Sequence, residues 1–317
     1  MTNLDHYVVA GNPVAHSQSP FIHAMFAQAT GQAMRYGRLL CPIDADGGFA
    51  REIRAFAASS GGAVGDFEST SGRSVNDVER LSRAPDSGPA SGCNVTVPFK
   101  FEAYQLGDKR TERAALAQAA NVLRFDPPFD GGWLADNTDG VGLVNDIERN
   151  AGVALAGRRV LLIGAGGAAA GALGPLLAAR PESITVANRT ADRARALVER
   201  HRPVALDVLL RAATLDDCGT GFDVVVNAAA TSLLGAAVPV TPAVLAPGAL
   251  ALDMMYGPAA RGFLDWAECH GALGRDGLGM LVEQAAAAFE LWRGVHPDTA
   301  PVLAELRERM DTARAAP

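Results

Sequence analysis

Cysteine is scarce and scattered in this 317-residue chain. The four, Cys41, Cys93, Cys218 and Cys269, share no short spacing, so the chain offers no zinc-ligand pairs, no redox motif and no disulfide framework. Reduced, mostly buried thiols are the expectation. Histidine is equally dispersed. His6, His201, His270 and His296 have no partner at metal-ligand spacing, and no bound metal is expected. Positive charge is also lacking: Lys+Arg total 28 against 35 for Asp+Glu, a net charge of -7. That balance disfavours nonspecific nucleic-acid binding, which rests on neutralising phosphates. An anionic ligand must instead be met by a few placed cations or helix N-termini. No stretch approaches the roughly 20 apolar residues of a membrane span. The opening Met1-Thr2-Asn3-Leu4-Asp5-His6 has no cationic segment followed by a long apolar one. The expectation is a cytoplasmic protein without nucleic-acid or membrane partners.

Apolar residues are plentiful at 49%, and the length suggests two domains of roughly 150 residues each. In the first half, residues 6–10 read as a buried strand stopped by the Gly11-Asn12-Pro13 turn. A helix follows at 20–30, with Ser19 as N-cap and Pro20 at its first position. A second helix is expected at 49–58, a strand at 93–97 ending at Pro98, a helix at 111–120 and a hairpin tip at 126–132. Residues 65–92 are polar, with six Ser and four Gly, and read as a flexible exposed insertion with a turn or two of helix near Val75–Leu81.

The pattern changes after residue 140. A helix at 140–150 is followed by strands at 159–163, 183–187, 223–227 and 249–254, with helices after the first two. Such alternation predicts a parallel sheet with right-handed crossovers. Met280–Leu291 and Thr299–Ala313 read as terminal helices. The fold class is α/β in two domains: residues 1–139 with 277–317, and a nucleotide-binding Rossmann domain at 140–276.

Within the second domain, a strand runs into Gly164-Ala165-Gly166-Gly167-Ala168-Ala169 and then a helix. The first glycine suits the tight turn and the second lets backbone approach a pyrophosphate. A small residue at 169 lets helix and strand pack, while the helix N-terminus offers N–H groups to the anion. After the next strand, where NAD-binding folds usually carry a carboxylate for the ribose 2′-OH, the chain reads Asn188-Arg189-Thr190, with Arg193 one turn on. Guanidinium groups pair with a 2′-phosphate that a carboxylate would repel, which points to NADP.

Three polar clusters in the first half resist explanation by packing: His16-Ser17-Gln18-Ser19-Pro20, Asn94-Val95-Thr96-Val97-Pro98-Phe99-Lys100 and Asn137-Thr138-Asp139-Gly140. Singly, each has an ordinary reading as a helix cap, an edge strand or an Asp N-cap. In the second, alternation would place Asn94 and Thr96 on one strand face. Taken with the glycine turn, Asn188-Arg189-Thr190 and Asp276-Gly277-Leu278-Gly279-Met280-Leu281-Val282-Glu283-Gln284, these blocks resemble in order and spacing the shikimate dehydrogenase family along nearly the whole chain.

That resemblance implies a cytoplasmic NADP-dependent oxidoreductase, monomeric or homodimeric, reducing 3-dehydroshikimate to shikimate. The first domain would hold the substrate and the second the NADP. Ser17 and Ser19 would bind the substrate carboxylate, near Tyr256. Asn94, Thr96, Asn121, Asp139 and Gln284 would bond the ring hydroxyls, and Lys100 with Asp139 would be the catalytic pair. Met254, Gly277 and Gly279 would line the cofactor site, with Gly279 near the nicotinamide. A quinate/shikimate dehydrogenase with relaxed cofactor use and a non-catalytic NADP-binding paralogue are the alternatives.

Three departures from the family pattern stand out. The 65–92 insertion is long. Ala120-Asn121-Val122 replaces a Val-Asn-Thr block and loses a hydroxyl. Asn227-Ala228-Ala229-Ala230, followed by Thr231-Ser232, replaces Asn-Ala-Thr-Ser.

Overall fold

A computed structural model of the chain describes residues 4–44, 46–59, 87–126, 132–229 and 237–315. It divides into two compact units, Met1–Thr138 with Ala285–Leu306 and Asp139–Gln284 with Arg307–Pro317. Most of the expected 65–92 insertion, the centre of the 126–132 tip and the Ala230-Thr231-Ser232 stretch lie outside the described residues.

The first unit carries a six-stranded sheet in the order β2-β1-β3-β5-β6-β4. Its strands are β1 (Leu4–Gly11), β2 (Met34–Leu40), β3 (Ser87–Val95), β4 (Lys109–Arg110), β5 (Val122–Arg124) and β6 (Leu134–Asp136). Helix α1 (Ser19–Thr30) connects β1 to its parallel neighbour β2, and α2 (Gly48–Ala58) follows β2. β1 lies between parallel β2 and β3, which is why Tyr7 to Ala10 can be an unbroken apolar run buried on both faces. β3, β5 and β6 pair antiparallel. In α2, Phe49, Ile53, Phe56 and Ala57 recur at helical spacing and pack with Val8, Leu39, Cys93, Val95 and Leu123. Each large side chain of that set contributes about 2 kcal/mol by leaving water.

Three readings change here. β3 starts at Ser87, so residues 87–92, read as the end of the insertion, are strand. β3 also ends at Val95 instead of 97, because Thr96 to Phe99 turn into α3 (Lys100–Leu106). The expected 111–120 helix is the shorter α4 (Glu112–Ala117), capped by Thr111 Oγ1 accepting from the Ala114 N–H at 3.3 Å.

The second unit holds β7 (Arg159–Ile163), β8 (Ser183–Ala187), β9 (Leu209–Ala213), β10 (Phe222–Asn227), β11 (Leu245–Asp253) and β12 (Leu273–Arg275). Every pairing in this sheet is parallel, in the order β12-β11-β10-β7-β8-β9. This is the doubly wound order, and its switch point lies between β7 and β10, where the strand sequence reverses. Its helices are α5 (Asp139–Asn145), α6 (Gly167–Ala178), α7 (Ala191–His201) and α8 (Arg261–Cys269), with α9 (Leu278–Arg293) and α10 (Ala300–Ala315) completing the chain. α5 runs on into a π turn at Asp146–Asn150, closed by the Ala151 N–H on the Asp146 carbonyl at 2.9 Å. Among the described residues no helix is long and apolar enough to cross a membrane, and no cluster of three potential metal ligands exists.

Candidate active site

In the first unit, α1 begins with Ser19 as its first residue and Gln18 as N-cap, and no side chain caps it. The capping role expected of Ser19 is therefore not used, because the residue already has helical backbone. Its hydroxyl instead accepts from Ser17 Oγ at 3.1 Å. Arg38, on β2, donates to the Ser17 carbonyl at 2.6 Å and fixes the loop that presents both serines.

Asn94, one residue from the end of β3, is buried with a fully bonded carboxamide oxygen. Its Oδ1 accepts from the Tyr36 hydroxyl at 2.6 Å and lies 3.1 Å from His23 Nε2. Its Nδ2 donates to the Asn121 carbonyl at 3.3 Å. Thr96 does not share a strand face with Asn94. It sits in the turn, its N–H donating to the Ala10 carbonyl at 2.9 Å and its methyl packed over Gly11. Lys100 opens α3, partly buried, and its carbonyl accepts from the Ala120 N–H at 2.8 Å. That bond ties the lysine's backbone to the segment carrying Asn121.

Asn121 in turn grips Thr138. Its Oδ1 accepts the Thr138 N–H at 2.8 Å and its Nδ2 donates to Thr138 Oγ1 at 2.9 Å. The same turn is held from behind by Asp136, which is fully buried. This carboxylate accepts from Thr111 Oγ1 at 2.5 Å, from the Asn137 N–H at 2.7 Å, and from Arg113 through Nε at 2.7 Å and Nη2 at 2.5 Å. A bidentate, charge-assisted pair of this kind fixes direction as well as distance.

The second unit begins at the far side of that turn. Asp139 is the first residue of α5 and is 5% exposed. Gln284 is buried on α9, its Nε2 donating to the Leu281 carbonyl at 2.8 Å. The glycine turn after β7 meets its expected demands. Gly164 has φ +110°, and a side chain there would press on the Ala228 backbone at 3.1 Å. At Gly166, the N-cap of the 12-residue α6, a Cβ would meet nothing within 4 Å. Backbone N–H groups at a helix start beside open space fit a pyrophosphate. Ala165, Gly167 and Ala168 continue this turn into α6 without bulk.

Beyond β8, Asn188 Nδ2 donates to the Thr190 carbonyl at 2.9 Å, shaping the loop before α7. Arg189 and Arg193 are exposed, and their side chains make no hydrogen bond or ion pair among the described residues. Asp192, the nearby acid, is ion-paired to Arg195. The two guanidinium groups thus fit a 2′-phosphate with little competing charge.

At the ends of β10 and β11, buried Asp253 accepts from Asn227 Nδ2 at 2.9 Å and from the Met255 N–H at 2.8 Å. These bonds set the course of Met254 and of partly buried Tyr256. Gly277 and Gly279 leave no room for side chains: the Met254 carbonyl lies against the first and the Asp146 carboxylate against the second. Asp146 is fully buried and pairs with Arg275 at 2.5 Å. The closeness of Gly279 to that carboxylate is a packing reason for glycine, in addition to the cofactor role the resemblance implies.

Sequence reading left out Tyr36, Arg38, Arg113, Asp136 and Asp253. Tyr36 and Arg38 sit two apart on β2, a strand that Gly37 and two arginines hid from alternation analysis. His23 is fully buried, and desolvation pushes its pKa down to about 3. Three of the four thiols are buried as expected, and Cys269 is exposed.

Comparison with known proteins gives a consistent picture. Residues 72–123 match a model of the shikimate dehydrogenase substrate binding domain, 146–235 a shikimate / quinate 5-dehydrogenase model, and 277–307 the shikimate 5′-dehydrogenase C-terminal domain. The chain is 60% identical over 311 residues to the shikimate dehydrogenase (NADP(+)) of Methylibium petroleiphilum, covering 98% of this chain and 96% of that protein. An Ael1 enzyme from Pseudomonas putida is similar in structure at 41% identity, with TM-score 0.76 over 95% of this chain and 98% of that one. Shikimate 5-dehydrogenase from Thermus thermophilus, solved with NADP(H) and shikimate, has TM-score 0.71 at 27% identity, over 96% and 99% of the two chains.

Proposed function

The chain belongs to the shikimate dehydrogenase family, and on that premise we propose that it catalyses the reversible NADPH-dependent reduction of 3-dehydroshikimate to shikimate, on the route to chorismate and the aromatic amino acids. One observation carries the reading: a single chain holds both a buried hydroxyl-and-amide network suited to a polyol acid and a glycine turn followed by two exposed arginines suited to NADP. We assign residues 1–139 and 277–317 to substrate binding and catalysis, and 140–276 to NADP.

When bound, NADPH supplies the hydride that reaches the carbonyl carbon. Lys100, as an ammonium, donates the proton that the carbonyl oxygen gains. Asp139 offsets the charge of that lysine and accepts from a ring hydroxyl. Ser17 and Ser19 donate to the carboxylate, with Tyr256 near it, while Asn94, Thr96, Asn121 and Gln284 bond the ring hydroxyls. Gly164 to Ala168 take the pyrophosphate, and Asn188, Arg189, Thr190 and Arg193 the adenosine 2′-phosphate. Met254, Gly277 and Gly279 line the nicotinamide end. Buried, unpaired thiols suit a reducing cytoplasm, and we place the protein there as a monomer or homodimer.

Adding shikimate and NADP to purified protein should raise absorbance at the NADPH band. Initial rates with shikimate and quinate, each with NADP and NAD, separate this reading from a relaxed quinate enzyme. Faster turnover with NAD than with NADP would overturn the cofactor assignment, and no turnover with any pair would overturn the activity.

A further inference from the structure

Three side chains of the first unit, His23 on α1, Tyr36 on β2 and Asn94 on β3, form one short hydrogen-bonded chain. Its proton directions can be deduced. Asn94 Nδ2 faces the Asn121 carbonyl at 3.3 Å, and a carbonyl only accepts, so this end of the carboxamide must be the nitrogen. Asn94 Oδ1 therefore accepts from Tyr36 Oη at 2.6 Å and from His23 Nε2 at 3.1 Å. His23 must carry its proton on Nε2, which leaves Nδ1 bare; that atom is buried and has no partner among the described residues. Tyr36 has therefore committed its one proton to Asn94.

Nothing in this chain titrates near neutral pH. Burial pushes His23 down to about 3 and Tyr36 well above the usual phenol range. The His23 ring also stacks on Tyr36, with centroids 4.2 Å apart and planes 10° apart, so the two rings hold each other in register. Both Asn94 acceptor sites are filled from inside the protein, and one Nδ2 hydrogen has no partner among the described residues. Asn94 can then offer a ligand only a donor.

We propose that Tyr36 is a positioning residue for the substrate: with His23 it fills both acceptor sites of Asn94, whose amide the Asn121 carbonyl orients, so that Asn94 meets the ring-hydroxyl end of the ligand as a donor only. The proposal rests on the substrate reading given above for Asn94. It adds a selectivity, since a ring substituent facing Asn94 must present an acceptor lone pair.

The test is Tyr36→Phe, which keeps the stacked ring and removes only the hydroxyl. The KM for shikimate should rise roughly tenfold, with kcat changed less than about twofold and the KM for NADP unchanged. Tyr36→Phe and Asn94→Ala should be non-additive in KM, because the tyrosine acts through the asparagine. An unchanged KM in Tyr36→Phe, or additive losses in the double variant, would overturn the proposal. Nitrogen-15 shifts of His23 test the chain without turnover. A protonated Nε2 and bare Nδ1 between pH 5 and 8 are expected, and the opposite tautomer would refute the assigned directions. A parent enzyme inactive on shikimate would sink the functional reading instead, and the His23 tautomer would still decide the chain.

Discussion

The two units solve their binding problems with different materials. The second relies on backbone, with a glycine at φ +110°, an open space at Gly166 and a helix start, and on two exposed arginines, Arg189 in the loop before α7 and Arg193 in its first turn. The first relies on buried side chains. Ser17, Ser19, Tyr36, Asn94, Asn121, Thr138 and Asp136 each complete the hydrogen bonding of another. A backbone site tolerates side-chain change around it, whereas a buried polar network loses stability when one member leaves its partners unpaired. Substitutions in the first unit's network should therefore be felt in chemistry and folding together, and those at the second unit's exposed arginines in cofactor affinity alone.

The largest expected effect is at Lys100. Lys100→Ala should lower kcat by roughly a thousandfold, in the range usual for loss of a general acid, while NADPH affinity by fluorescence titration stays nearly constant. Near-normal turnover would remove the lysine from the mechanism.

Next is Asp136, whose loss frees four donors. Asp136→Ala should cost roughly 3 kcal/mol in urea unfolding and also reduce kcat, because Thr138 and Asp139 follow directly in the chain. A stability loss below about 1 kcal/mol would mean that the turn is held by other means.

A third test compares the units through pH. His23 in the first is held near 3 and His201 in the second near 4, both mainly by burial. Their folded values lie below the unfolded 6.5, so below 6.5 the unfolded chain takes up protons that the folded one refuses. Stability should fall as pH drops from 6.5 toward 4, by about 2 kcal/mol for each histidine at pH 5. His201→Gln should remove about half of that slope in urea midpoints measured at pH 5 and 7.5. An unchanged slope would show that other groups dominate.

The smallest effect belongs to the second unit's surface. Arg189→Ala should raise the KM for NADP roughly tenfold and leave that for NAD alone. Equal losses for both cofactors would mean that Arg189 does not meet the 2′-phosphate.

Legibility follows the same division. β7, β8 and α7 lie where apolar runs and turn signals put them, because parallel strands buried on both faces read continuously in sequence. β2 escaped notice because Tyr36 and Arg38 bond Asn94 and the Ser17 carbonyl within the protein, not water. Thr96 was assigned to a strand that stops at Val95, since alternation cannot see the turn into Lys100. Ser19 resembled a cap, and only the backbone angles place the cap one residue earlier.

What the amino-acid order determined alone was whatever depends on neighbours a few residues apart: the doubly wound α/β pattern, the glycine turn, and the arginines where an acid might have stood. Tertiary structure decided which way each buried donor and acceptor points. The partners of Asn94 come from 58 and 71 residues away, and the one carbonyl that orients its amide comes from 27. A hydrogen bond has a direction only when both ends are in place, and no local pattern supplies the second end.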